Sequence, residues 1–189
     1  MPGFTALFDA CVLYPAPLRD LLLQLTLTGL FRARWSADIH DEWTRNVLLN
    51  RPDLTSTQLK RTRLLMDAAV PDALVLGYAK LIPSLTLPDP DDRHVLAAAI
   101  RGRCDVIVTF NLKDFPPETL TEHDIQAQSP DEFISHMINL RAEAVCRAAK
   151  SCRSRLKNPP VSVDDYILTL AAQKLPETAH FLHAHQELI

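Results

Sequence analysis

The chain has 189 residues, 47% hydrophobic and 23% charged, proportions of a globular protein that exclude wholesale disorder. Fourteen prolines against four glycines leave little room for long flexible linkers. A net charge of −3 means that any nucleic-acid partner must be met by a local basic patch, not by the whole surface.

No run approaches 18 apolar residues, so no membrane span is expected, and the opening Met-Pro-Gly-Phe-Thr has no signal-type character. Cys11, Cys104, Cys146 and Cys152 form no Cys-x-x-Cys pair, so neither a zinc site nor a disulfide framework is indicated. Free thiols without a signal segment point to the cytoplasm.

In chain order, residues 5–8 form a short apolar run ending at Asp9 and predict a buried strand. Pro15 and Pro17 open a helix with Leu18, Leu21, Leu22 and Leu25 at helical spacing, closing near Gly29. Ser36 suits the N-cap of a second helix carrying Glu42, Val47 and Leu48. A third begins near Thr55 and runs through Leu59 and Leu64 to Ala69; residues 73–76 read as another short strand. Asp89 and Pro90 start a helix, as N-cap and first helical residue, that continues to Gly102. Its Ala97, Ala98 and Ala99 keep it thin enough to lie close on a sheet. Residues 106–109 are a β-branched strand followed by Asn111 and Asp114.

Strands alternating with helices predict an α/β fold with a parallel sheet. Beyond residue 128 only helices are expected, over 130–150, 163–175 and 176–185, with Pro159-Pro160 separating the first two. The expected organisation is an α/β domain over 1–128 and a helical C-terminal extension over 129–189.

Two strands end in acids, and in open α/β sheets ligands bind beyond the carboxyl ends of the strands. Asp9, the Asn111–Asp114 loop, and Asp91 and Asp92 can therefore meet at one sheet edge. Carboxylates without a fixed basic partner repel one another and are tolerable around a hard divalent cation. The chemistry this favours is metal-assisted phosphodiester hydrolysis.

Leu7-Phe8-Asp9, Ser36 with Glu42 after it, the stretch from Asp89 to Ala99, and Val108-Thr-Phe-Asn-Leu-Lys-Asp-Phe115 together resemble the ordered acidic motifs of PIN-domain ribonucleases. The resemblance spans about residues 4 to 116 and implies a PIN-like three-layer α/β/α sandwich around a central parallel sheet. It implies Asp9, Glu42, Asp92 and Asp114 as catalytic acids, with Asp9, Asp92 and Asp114 on Mg²⁺ or Mn²⁺. Asp91, Asn111 and Thr109 are further candidates; many members carry an acid where this chain has Asn111, so Asn111 and Asp114 both stand for the fourth position. The helical tail is similar to that of one subset of virulence-associated toxins. That implies an endoribonuclease with an RNA substrate and a cognate antitoxin of a type II toxin–antitoxin pair.

Lys60, Arg61 and Arg63 on the third helix, and Arg153 and Arg155 in the tail, are candidate RNA contacts. A homodimer is a further expectation, with the apolar face from Leu21 to Leu25 as a candidate surface. His94, Trp35 and Trp43 read as structural, and His180, His183 and His185 as a solvated helix end. Two other readings stand beside the ribonuclease: a catalytically weak binding module, and a nuclease acting on DNA or flap structures.

Overall fold

A computed structural model describes residues 3–189. The elements are β1 (Thr5–Phe8), α1 (Ala10–Leu13), α2 (Ala16–Thr26), β2 (Arg32–Arg34), α3 (Ala37–Asn50), α4 (Ser56–Ala69), α5 (Arg93–Arg101), β3 (Val106–Val108), α6 (Pro117–Thr121), β4 (Gln126–Gln128), α7 (Pro130–Arg155), α8 (Val163–Ala172) and α9 (Pro176–Ala184). They form two compact units.

The first unit takes in the N-terminal segment to Tyr14 and Phe31–Gln128. Its four strands are all parallel, in the order β2-β1-β3-β4. Ala6 stands opposite Ala33 on one side and Val106 on the other. Ala6, Leu7, Phe8, Ile107 and Val108 are all fully buried, as strands covered on both faces must be. The chain leaves β1 toward β2 and later returns on the other flank to β3, so the strand order reverses between β1 and β3. The crevice outside their carboxyl ends is where such a sheet receives a ligand.

The helices follow from their caps. Ser36 Oγ accepts from Ile39 N at 3.2 Å to start α3, and Thr55 with Gln58 forms a reciprocal capping box on α4. A buried polar network ties these two helices together. Trp35 Nε1 donates to Asp67 Oδ1 at 2.8 Å, His40 Nε2 lies 3.1 Å from the same oxygen, and Trp43 Nε1 donates to His40 Nδ1 at 2.9 Å. Both tryptophans are fully buried, in keeping with a core role. Ala97, Ala98 and Ala99 of α5 are also at 0% exposure, so that helix sits as close as its small side chains allow.

Three local expectations are corrected. Residues 73–76 are not a strand; they contribute one bridge, Trp35 to Leu74. The edge strands β2 and β4 were not anticipated, being three residues each with polar side chains at Arg32, Arg34, Gln126 and Gln128. The helix expected from Pro90 opens as a 3₁₀ turn over Pro90–Asp92, and the α-helix proper begins at Arg93. Asp89 does cap that turn, accepting from Asp91 N at 2.9 Å, but Asp92 makes no capping bond.

The second unit joins Pro15–Leu30, which the sequence reading counts with the α/β portion, to Ser129–Ile189. Helix α2 lies against α7, and α9 against both α7 and α8. Leu18, Leu21, Leu22 and Leu25 are all at 0% exposure, so the face offered as a dimer surface is consumed by the chain's own core. Helix α7 runs to Arg155 rather than to residue 150 and is kinked at Arg141 (φ −161°, ψ 82°). The Asp131 carboxylate at its start accepts from Glu177 N and Thr178 N, both at 2.9 Å, and from Thr178 Oγ1 at 2.7 Å, capping α9. Arg153 donates to the carbonyls of Val161 and Ile189, fastening the chain end. Among the described residues no helix is long and apolar enough to cross a membrane.

Candidate active site

Asp9 leaves β1 directly into α1. Its backbone N continues the sheet by donating to Val108 O at 3.1 Å, and its carboxylate caps α1 by accepting from Ala10 N at 2.6 Å. Oδ2 also accepts from Thr109 Oγ1 at 2.7 Å and from Cys11 Sγ at 3.2 Å. Thr109 follows β3, is fully buried, and receives Asn111 N on its hydroxyl at 2.9 Å. The hydroxyl therefore accepts from one turn and donates to the acid of another, which fixes the direction of its proton. Asp9 is 2% exposed. Burial pushes its carboxyl up from the ordinary range, the bonds from Thr109, Cys11 and Ala10 pull it back, and the charge of Glu42 adds to the rise.

Asp92 shows most directly what surrounds it. Its carboxyl is pushed up to about 7, first by burial and then by the negative charges of Asp9, Asp89, Asp114 and Glu42. Acids from β1, α3, the turn before α5 and the loop after β3 thus act on one carboxylate. Glu42 faces the group from α3, with His94 Nε2 of α5 at 3.3 Å from its Oε2. Asp114 ends the short 3₁₀ turn Leu112–Asp114 and is half-buried. Asp91 and Asn111 are exposed; Asn111 touches the site through its backbone N–H on Thr109.

Of the residues singled out from sequence, Asp9, Glu42, Asp92, Asp114 and Thr109 come together, while Asp91 stays at the rim. One neighbour was missed, and another was read as structural. Cys11 contacts both Asp9 and Thr109 and accepts from Phe110 N at 3.3 Å, and His94 pairs with Glu42. Both lie two residues beyond a motif acid, a position to which no periodicity draws notice. The basic candidates divide. Lys60 and Arg61 are exposed, and Arg63 pairs with Asp41. Arg153 is spent on backbone carbonyls and Arg155 on Asp20 at 2.6 Å.

The donors here are hard carboxylate oxygens; such a set suits Mg²⁺ or Mn²⁺ chemistry. Among the described residues no three His, Cys, Asp or Glu side chains are already arranged to hold an ion together. Crowded carboxylates repel one another and splay, and Glu42, Asp92 and Asp114 are exposed enough to rotate.

Comparison with known proteins agrees with this geometry. The model of the PIN domain matches residues 5–113, and that of the VapC50 C-terminal domain matches residues 130–184. The chain is 36% identical over 107 residues to "Putative ribonuclease VapC50" of Mycobacterium tuberculosis (strain ATCC 25618 / H37Rv), an alignment covering 57% of this chain and 62% of that protein. Comparison with solved structures finds no match. On the span of the family model, the parallel sheet and the acids gathered at its carboxyl edge, the chain belongs to the PIN-domain family.

Proposed function

We propose that the protein is a metal-dependent endoribonuclease, the toxin of a type II toxin–antitoxin pair, hydrolysing RNA phosphodiester bonds. The observation that carries the reading is the Asp9 carboxylate held at the carboxyl end of β1 by Thr109 and Ala10, with the charges of Asp9, Asp114 and Glu42 bearing on Asp92. The name ribonuclease carried by the mycobacterial relative supports the activity, and the match of the tail to the VapC50 C-terminal domain supports the toxin assignment, with an antitoxin as partner.

Asp9, Asp92 and Asp114 would hold Mg²⁺ or Mn²⁺. When bound, the ion makes water a nucleophile near neutral pH and offsets charge on the leaving oxygen. The chain's own residues supply the rest. Thr109 and Ala10 hold Asp9 in one rotamer, so that one oxygen donor is fixed before anything binds. Glu42, half-buried opposite, is placed to orient water or accept its proton. Asn111 lies at the open side, where an amide oxygen can orient a phosphate-bound water without adding charge. Lys60 and Arg61 offer exposed cations to the RNA backbone. Residues 1–128 are proposed as the nuclease domain and 129–189 as a helical extension, with Pro15–Leu30 packed in the unit of the extension.

Purified protein should cleave single-stranded RNA with Mg²⁺, lose the activity in EDTA and regain it with added Mn²⁺. Asp9→Asn should reduce cleavage to background while keeping its circular dichroism. Wild-type rates from a folded Asp9→Asn protein would refute the site.

A further inference from the structure

We propose that His94 is a positioning residue: its Nε2 holds the Glu42 carboxylate in the acidic site, setting the separation between Glu42 and Asp92. The inference rests on the metal-site reading above.

His94 lies on the first turn of α5, two residues beyond Asp92, and Glu42 lies on α3. Their side chains are 16% and 30% exposed, and Nε2 stands 3.3 Å from Oε2. No other hydrogen bond or ion pair to the Glu42 carboxylate is present among the described residues. The charges of the site work against that placement. Glu42 raises the carboxyls of both Asp9 and Asp92, and repulsion is mutual, so Glu42 is driven toward solvent. A flexible side chain at the edge of such a cluster would leave it unless tethered, and His94 supplies the tether.

The other imidazole nitrogen shows that packing alone does not account for a histidine here. Nδ1 is buried with no hydrogen-bond partner. A buried polar atom left bare costs about 1–3 kcal/mol, and a leucine would fill a similar space without that cost. The position on α5 is followed by Val95, Leu96 and Ala97, all fully buried, so an apolar residue would suit the helix. Among the described residues the polar contact of the ring is the one with Glu42. His94 opens α5 two residues after Asp92, which ends the preceding 3₁₀ turn, so holding Glu42 to His94 also restrains it relative to Asp92.

The test is calorimetric titration of Mn²⁺ into the full chain, with circular dichroism confirming each fold. Wild type should bind. His94→Leu, which removes the donor, should bind several-fold more weakly, less than the roughly 10–100-fold lost with a group that orients a ligand, because Glu42 acts on the water of the metal and not on the metal itself. His94→Gln, whose amide nitrogen reaches about as far as Nε2, should stay close to wild type, whereas the shorter His94→Asn should lose affinity as the leucine does. On a Glu42→Gln background, His94→Leu should add little. Wild-type affinity in His94→Leu, or an equal loss on the Glu42→Gln background, overturns the inference and leaves the metal reading standing. Should His94→Leu fail to fold, the contrast between Asn and Gln decides in the same way. No Mn²⁺ binding by wild type overturns the metal reading, and this inference with it.

Discussion

Asp92→Asn should stabilise the metal-free protein, and do so only where the carboxyl would be charged. In the folded chain this carboxyl is pushed up to about 7, and in the unfolded chain it returns to about 3.9. The folded state therefore holds the proton more tightly. Its contribution to stability is complete below about pH 4 and is lost as pH rises to about 7. Three decades of proton affinity would amount to about 4 kcal/mol for a group sealed from water. Asp92 is only half-buried, and solvent screening cuts this to about 1–2 kcal/mol. Asparagine keeps the shape and cannot ionise. In EDTA at pH 8 the variant should melt about 2–8 °C above wild type, given about 2–4 °C per kcal/mol at this chain length. At pH 4 the two should coincide. Scanning calorimetry at both pH values makes the comparison. A lower melting temperature at pH 8, or the same offset at both, would refute the picture of a carboxyl at Asp92 penalised by burial and then by neighbouring acids. Saturating Mg²⁺ at pH 8 should then raise wild type more than the variant, because only wild type regains what repulsion costs it.

Thr109→Val removes the hydroxyl that serves Asp9 and Asn111 N, and should cost about 1–3 kcal/mol in urea unfolding along with most of the cleavage rate; unchanged stability would mean the two turns are not joined through it. Asp131→Ala leaves three donors at the start of α9 without their acceptor and should cost about 2 kcal/mol, with faster amide exchange in α9; undisturbed exchange there would count against the clasp. For RNA binding, Lys60→Ala and Arg61→Ala should each lower the slope of log affinity against log salt by about 1, while Arg153→Ala should change stability rather than slope; a slope unaffected by the first two would move the interface elsewhere.

Legibility from the sequence followed where the physical signal is local. Thr5–Phe8 reads as a strand because a central parallel strand is buried on both faces and so is apolar over nearly its whole length, here Ala6, Leu7 and Phe8. The starts of α3 and α4 are written in Ser36, Thr55 and Gln58, whose side chains satisfy the free amides of the first turn. The edge strands were invisible for the opposite reason. Arg32, Ala33 and Arg34, like Gln126, Ala127 and Gln128, need one neighbour only and carry no apolar pattern. Residues 73–76 had the composition of a strand but meet no more than a bridge at Leu74. In the site, Asp9, Asp92 and Asp114 were readable because each stands at an element boundary, while Glu42, inside α3, was readable only through the family resemblance. Cys11 and His94 were not, because their contacts run between segments that only the folded sheet brings together.

Thr109 and Asp9 meet at 2.7 Å across a separation of 100 residues. On a ribosome adding about 5–20 residues per second, Asp9 emerges roughly 5–20 s before the hydroxyl that orients it. A nascent or prematurely released polypeptide carries the first acid without the strand that completes its surroundings. On the proposed toxin reading, the site is not complete until β3 has been made, which gives an antitoxin that interval in which to be present.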